Sequence, residues 1–425
     1  MNFASTPAEN SPSHKLCAMS AIEAIRRAAG RLDPIRVLRR RPPLPRVAVV
    51  SNVSSFGGGG VVGFREILLA IRDQRPDLDV LAVVPRQGAV AKDCSERGIR
   101  TSIAWTPWWG FGKWWRYRGI DPHALIGWVP YALLLIPGIV QAVLLLAQER
   151  PTMVVSNTMT IPSHAIAAKL LGIPHYWFVR EFGRDDHRLW FLLGYRRTIR
   201  LINRLSTVVI CNSHAVEQAM LAIDPTMTTA VVYPVVETPL GVPPQRQPGE
   251  RMRTVLVGYF SLGKGQHLAI EAIAIARRAG VDIELSLVGT GRHAPLRALA
   301  RRAGVEDLLT IHGPTKDLGT HWSAAHVGLM CSQSEAFGRV TVEAMRAGLP
   351  VCGTDSGGTP EIIEHRVNGL LSPAGDAHAL AANLMMIESD EGLRRRLALG
   401  ALDSAQHFQR GRHDKELATI LRLHD

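Results

Sequence analysis

The chain has 425 residues, 46% of them hydrophobic and 20% charged, and a formal net charge of +12. That length suits two or three domains, and that apolar content excludes a disordered chain. The five cysteines, Cys17, Cys94, Cys211, Cys331 and Cys352, form no Cys-x-x-Cys pair and no cluster with histidine, which argues against a disulfide framework or a zinc site and fits a reducing compartment.

The first 45 residues read as a basic arm. Over residues 1–46, Lys15 and eight arginines stand against Glu9, Glu23 and Asp33. Such an arm suits an anionic membrane surface or a nucleic acid, and a solvated tail is the plain alternative. Ser20 and Glu23 have the spacing of a helix-opening capping box, and Arg40-Arg-Pro-Pro-Leu-Pro45 ends whatever helix they start. Residues 1–20 hold no apolar run followed by a small-residue cleavage site, so no secretory signal is expected.

From Arg46 the pattern alternates between strand and helix. Val47–Val50 reads as a strand, a glycine turn follows at Gly57–Gly60, and Phe64–Ile71 has helical spacing. Leu78–Val84, Met153–Val155, Tyr176–Val179 and Val208–Cys211 read as further strands. Between them, Ala124–Ala147 is almost wholly apolar, with Gln141 its one strongly polar side chain. It follows Trp105, Trp108, Trp109, Trp114 and Trp115, which interleave with Lys113, Arg116 and Arg118. The run is long enough to span a bilayer, and tryptophan beside lysine and arginine is the chemistry of an interface anchor. It leads directly into a strand, however, which favours a buried helix kinked near Pro130 and Pro137, with a surface-dipping helix as the alternative.

Residues 239–251 have linker composition, after which the alternation restarts. Strands are expected at Thr254–Val257, Glu284–Val288, Leu309–His312, Val327–Cys331 and Val351–Gly353. Helices are expected at His267–Ala279, Leu296–Ala303 and Phe337–Ala347. The predicted fold class is α/β, with two doubly wound Rossmann-like domains facing across a cleft: 46–238 and 252–404, joined by 239–251. A C-terminal helix within 405–425 is expected to pack back toward the first domain. Ligands of such sheets bind beyond the carboxyl ends of the strands, so the cleft is the expected site.

The strongest motif is Ser334-Glu335-Ala-Phe-Gly338-Arg-Val-Thr-Val-Glu343, in the turn and first helical residues after a strand. Amides of residues 336–340 at a helix start favour an anion such as a diphosphate. Eight residues of helical rise would put the two carboxylates about 12 Å apart along the axis. That is too far to share one glycosidic bond, which needs roughly 5–9.5 Å, and it suits two hydroxyl-binding carboxylates flanking a pyrophosphate. The plain alternative is an Arg339–Glu343 pair, although Arg339 at a helix N-terminus is misplaced unless an anion lies nearby.

This stretch resembles the E-x7-E signature of the retaining glycosyltransferases of family 4, which have the GT-B fold. Gly258-Tyr-Phe-Ser-Leu-Gly-Lys264-Gly265 is similar to that family's diphosphate clamp. Thr354-Asp-Ser-Gly-Gly-Thr-Pro-Glu361 and Val367–Asp376 are similar to its following segments, and Asn212-Ser213 and Tyr233–Val236 to the end of its first domain. The resemblance implies that Lys264 neutralises a donor diphosphate, that Glu343 binds the ribose and that Glu335, with the amides of Phe337 and Gly338, holds sugar hydroxyls. Gly57, Gly58 and Gly258 would give close backbone approach, and Arg339 and Val340 would complete the donor site. The sequence departs from the family at Tyr259, where an arginine is usual, and at Arg180, about where a histidine is usual. Arg180 or Arg339 is the expected substitute for the missing charge.

A retaining, metal-independent hexosyl transfer from a UDP- or GDP-sugar is therefore expected, with catalytic roles for Lys264, Glu335 and Arg180. The nucleotide-sugar would be substrate, with no cofactor. The expected acceptor is a lipid-linked or growing bacterial surface glycan, and the expected partner is a membrane's cytoplasmic face, touched through 105–147 and the basic arm. No nucleic-acid partner is expected. A catalytically degraded binding protein of the same fold is the alternative. Gly58-Gly-Gly60-Val-Val-Gly63 also satisfies a dinucleotide fingerprint, but Leu78–Val84 ends at Pro85-Arg86 without the acid that a dehydrogenase needs. His164, His175, His187, His214 and His312 have no metal-ligand spacing and read as packing or surface residues.

Overall fold

The computed structural model describes residues 46–55, 59–111, 125–184, 186, 189–315 and 317–423. The basic arm, its capping-box pair, and the predicted site residues Gly57 and Gly58 lie outside the described residues. The chain from Pro45 onward forms one unit that carries both sheets.

The first half contains β1 (Arg46–Val50), α1 (Gly59–Gln74), β2 (Asp79–Val84), α2 (Ala89–Glu96), β3 (Arg100–Ile103), β4 (Gly110–Phe111), α3 (Leu125–Glu149), β5 (Met153–Ser156), α4 (Ser163–Leu170), β6 (His175–Val179), β7 (Trp190–Phe191), α5 (Tyr195–Leu205), β8 (Val208–Cys211), α6 (His214–Leu221) and β9 (Thr229–Val231). Seven strands form a parallel sheet in the order β3-β2-β1-β5-β6-β8-β9, and β4 pairs antiparallel with β7. Val47 and Val49 pack with Phe64, Ile67 and Ile71 of α1, whereas Ala48 and Val50 pack with Ala142 and Leu146 of α3. Burial of both faces explains the unbroken Val-Ala-Val-Val run.

The second half contains β10 (Met252–Val257), α7 (Gln266–Arg278), β11 (Ile283–Val288), α8 (His293–Ala303), β12 (Leu309–His312), α9 (Gly319–Ser323), β13 (Val327–Met330), α10 (Arg339–Arg346), β14 (Val351–Asp355), β15 (Gly369–Pro373), α11 (Ala377–Ser389), α12 (Glu391–Ala405) and α13 (Arg410–Ile420). Its parallel sheet runs β12-β11-β10-β13-β14-β15. In both sheets the order reverses at the centre, beside β1 and beside β10, and the crevice at such a reversal is where α/β sheets bind ligands. From α13 onward, Leu417, Ala418, Leu421 and Leu423 join the core beneath α1.

Helix α3 is neither the fully buried helix nor the membrane span weighed from the sequence. It continues through Pro130 and Pro137. Ala142 and Leu146 are buried, while Leu133, Ile136, Val140 and Leu144 on another face are exposed. Among the described residues no helix is long and apolar enough to cross a membrane.

His164 of α4 and His175 of β6 are buried, with the His175 Nε2 2.9 Å from Ser156 Oγ. Burial pushes their imidazoles down to about 4 and about 3 respectively, the latter helped by His164. Below about pH 6.5 the unfolded chain takes up protons on these rings that the folded chain refuses until much lower pH. Stability is therefore full at neutral pH and falls as pH drops through that window, on the order of 2 kcal/mol for each ring by pH 5. Urea unfolding at pH 7 and pH 5 should show this loss, and a His164→Gln/His175→Gln double variant should show a smaller one. An equal loss in both proteins would refute the assignment.

Candidate active site

The second domain contributes two loops from its central strands. The loop after β10 turns at Gly258 and ends in a short 3-10 segment, Leu262–Lys264, and the loop after β13 carries Glu335. Lys264 Nζ donates to Glu335 Oε2 at 2.6 Å, joining residues that are 71 apart in sequence. Two glycines permit this approach. Gly265 has φ +72°, and a Cβ there would lie 2.0 Å from the Cys331 carbonyl oxygen. Gly357 has φ +59°, and its Cβ would lie 2.3 Å from the Glu335 carbonyl oxygen, to which the Gly358 amide also donates. The Thr354–Glu361 segment thus forms a floor beneath Glu335. Tyr259, in the position of the missing clamp arginine, is exposed.

Helix α10 starts at Arg339, after Gly338 in the left-handed region, and no side chain caps it. Glu335 stands in the turn before the helix, as the sequence predicts, but the helix starts later than the expected Phe337, so the eight-residue spacing to Glu343 is not all helical rise. Glu343 is half-buried and its carboxylate has no hydrogen-bond partner among the described residues. Burial pushes its pKa up, against the pull of Arg339. The Phe337 side chain is core, packed on Tyr233 and Phe408 at 5.7 and 5.3 Å between ring centroids, which leaves only its backbone for a ligand. Val340 is half-buried on the first turn of α10.

Arg339 does not pair with Glu343. Its Nη1 donates to Glu66 Oε1 at 2.6 Å, across to α1 of the first domain. Glu66 is the anion that a guanidinium at a helix N-terminus requires. The other oxygen of Glu66 lies 3.5 Å from Arg180 Nη1. Arg180 is held further by Asn157 Oδ1 at 2.9 Å and the Gly63 carbonyl at 3.1 Å, with its guanidinium over the Phe178 ring. Burial pushes Arg180 down to about 10, so it remains charged at neutral pH. Gly59 of the glycine turn lies against Arg339: a Cβ there would be 3.9 Å from Arg339 Cδ.

A second contact joins the domains. Glu361 Oε1 accepts from the Ala215 amide at 2.6 Å, and Oε2 from the His214 amide and the Tyr233 hydroxyl at 2.8 Å each. This carboxylate from the second domain closes the start of α6 in the first. The sequence reading missed Glu66, Asn157 and Glu361 as site-shaping residues. Glu66 had one signal: it is a carboxylate in register with the apolar face of α1, among Gly63, Phe64, Ile67 and Ala70. Among the described residues there is no group of three His, Cys, Asp or Glu side chains placed to hold a metal ion.

Residues 243–401 match the family model described as glycosyl transferases group 1. That match falls in the second half of the chain, from the linker through most of the second domain. Over 149 residues the chain is 34% identical to the amylovoran biosynthesis glycosyltransferase AmsK of Erwinia amylovora, covering 33% of this chain and 37% of that protein. Over 146 residues it is 34% identical to the D-inositol 3-phosphate glycosyltransferase of Streptomyces bingchenggensis, covering 33% and 32%. These matches span only about a third of either relative's length. In structure the chain is similar to Anabaena Alr3699/HepE in complex with UDP and glucose, with TM-score 0.68 at 20% identity over 89% of this chain and 99% of that one. It is also similar to the lipopolysaccharide outer core galactosyltransferase WaaB, with TM-score 0.69 at 15% identity over 89% and 100%. The fold is GT-B, and the match to the group 1 glycosyl transferase model lies in its second half.

The Glu66 network yields a direct test. Removing a buried carboxylate from two guanidiniums leaves uncompensated charge, which costs about 3–5 kcal/mol. Glu66→Ala should lose that much stability in denaturant unfolding. Arg339→Ala, which leaves Glu66 still facing Arg180, should lose clearly less. Equal losses would contradict the shared-carboxylate arrangement.

Proposed function

We propose that the protein transfers a sugar from a nucleoside-diphosphate sugar to an acceptor hydroxyl, with retention at the anomeric carbon and without a metal ion. The observation that carries this reading is the meeting of Lys264 and Glu335 at the reversal point of the second sheet, beside an uncapped helix start and the unpartnered Glu343. The complex of Anabaena Alr3699/HepE with UDP and glucose supports a UDP-sugar ahead of a GDP-sugar as donor.

In this reading the diphosphate sits between Lys264 and the first amides of α10, with Gly57, Gly58 and Gly258 giving close backbone approach. Positive charge is thereby fixed where negative charge develops as the nucleotide departs. Lys264 leaves Glu335 for the diphosphate, and Glu335, with the Phe337 and Gly338 amides, turns to sugar hydroxyls. Glu343 accepts from the ribose hydroxyls, and Val340 lines the donor beside it. The acceptor hydroxyl attacks the anomeric carbon on the face that the nucleotide leaves, and its proton passes to the departing phosphate oxygen. Arg339, partly exposed and paired with Glu66, takes the place of the usual clamp arginine. Arg180 serves behind it as the residue that positions Glu66. The setting is the cytoplasmic face of a membrane, where a bacterial glycan is built.

Two measurements test this. A nucleoside diphosphate that binds only the folded protein stabilises it by about 2.7 kcal/mol at a hundredfold excess over Kd. UDP should raise Tm accordingly, and a panel of nucleoside diphosphates that all leave Tm unchanged would refute the donor site. With the active donor identified, Lys264→Ala should lower kcat about 100- to 1000-fold, whereas Glu343→Ala should mainly raise the donor KM. Exposed Tyr259 favours one other reading, a binding protein that has lost catalysis. UDP binding without sugar transfer or donor hydrolysis across a donor panel would establish it.

A further inference from the structure

The first domain has a cavity of about 490 Å3 beyond the carboxyl ends of β1, β2 and β3. Ser54 lies on one side, Arg86 on another, and Trp105, Trp108 and Leu134 close the rest. This is the carboxyl edge of the sheet, the edge along which α/β sheets receive ligands, and the volume suits a small molecule.

The cavity is built by specific contacts. Arg86 Nε donates to Ser54 Oγ at 2.8 Å, and the Val90 amide donates to the Ser54 carbonyl at 3.2 Å. The β1 and β2 loops are therefore tied together. A Cβ on Gly88 would lie 2.4 Å from that same carbonyl oxygen, so the close approach depends on glycine. On the far side, Gln141 of α3 accepts from the Trp105 amide at 2.8 Å, and Pro107 packs where a Cβ on Gly138 would be. Gln141, the lone polar side chain of the apolar run, thus holds the tryptophan loop on the helix.

Its lining has three chemistries. Arg86 is exposed, and its two terminal nitrogens have no partner among the described residues, leaving a bidentate fork for a phosphate. Trp105 and Trp108 are 40% and 42% exposed, while neighbouring Trp109 is buried, stacks on Trp177 and donates Nε1–H to the Met159 carbonyl. Two of three neighbouring indoles are thus spent on the cavity rather than the core, and each offers a flat apolar face to a sugar ring. Leu134 opens onto the exposed Leu133, Ile136, Val140 and Leu144 of α3, an apolar strip that leads away from the cavity.

We propose that this cavity is the acceptor subsite and that it takes a lipid-linked sugar phosphate. The phosphate sits on Arg86, the sugar lies against Trp105 and Trp108, and the hydrocarbon follows α3. Ser54 lines the cavity after β1, and Gly59, at the start of the following helix α1, lies against Arg339 of the proposed donor site. The proposal rests on the transferase reading for the sugar's role as acceptor.

The test is calorimetric titration of the full chain with decyl-phosphate-linked glucose, galactose and N-acetylglucosamine, each below its micelle concentration. At least one should bind. Its tail-free sugar 1-phosphate and its neutral decyl glycoside should each bind at least tenfold more weakly. Arg86→Gln should weaken the phosphate probe at least tenfold and leave the neutral glycoside unchanged, whereas Trp108→Ala should weaken both. Both positions are exposed, and an unchanged Tm shift with UDP in each variant shows that the fold and donor site are intact. Failure of all three probes to bind, or wild-type affinity in both variants, overturns the proposal. A tail-free sugar phosphate that binds as tightly as its decyl ester overturns the lipid-linked assignment. Loss of the UDP response with probe binding retained would sink the donor reading alone, and the converse would sink only the cavity.

Discussion

One buried carboxylate organises the space between the two domains. Glu66 is 4% exposed at its side chain, and a carboxylate so placed is untenable without partners. It finds two, Arg180 within its own domain and Arg339 at the start of α10 in the other. The consequence is positional. Glu66 sits in α1, so its bond to Arg339 ties that helix, with Gly59 at its start, to the start of α10, which no side chain caps. It is also electrostatic. Two guanidiniums share this one carboxylate, so neither is neutralised by a pair of its own.

Glu361 mirrors this arrangement with the domains exchanged. It comes from the second domain and ends at the amides of α6 in the first, the end at which a helix favours an anion. Tyr233 donates its hydroxyl to the same carboxylate, and burial together with Glu361 holds that phenol well above its usual range. Tyr233 in turn packs on Phe337 and Phe408. The Glu361 contact therefore bears on the motif that carries Glu335 through an aromatic cluster, while Glu66 bears on it through Arg339. Each domain gives one carboxylate to the other's helix start.

The sequence made the fold legible because parallel strands buried on both faces are written as apolar runs. Val208–Cys211 and Val327–Met330 stand out for that reason. The strands it hid are those without such runs: β3 is an edge strand reading Arg-Thr-Ser-Ile with no buried residue, and β9 has only three residues. In the site, Lys264 and Glu335 were legible through a resemblance to known motifs. Glu66 was not, since its role arises only when α1 meets α10, and no local pattern encodes a contact between residues 273 apart. The exposed side of α3 was hidden for another reason. Its composition is apolar all round, and only the packed Ala142 and Leu146 show which side the sheet covers.

The charges at the site divide by how readily they can be exchanged. The Lys264–Glu335 pair is short, but Lys264 is 38% exposed, and partly solvated pairs are worth only about 0–1 kcal/mol. An arriving anion can take the lysine from the glutamate at little cost, freeing a carboxylate for hydroxyl groups in the same step. Glu66 is buried, and losing both of its partners would leave its charge without solvent. Arg339 and Arg180 are therefore held more firmly than Lys264. A charge that moves to meet a departing nucleotide and a charge that holds two domains in register are different requirements, and in the proposed transfer they fall on different residues, Lys264 and Arg339. Under the proposed transfer, this separation accounts for Tyr259 in place of a second mobile cation: the Glu66-bound guanidinium of Arg339 would supply the field, and one mobile lysine the exchange.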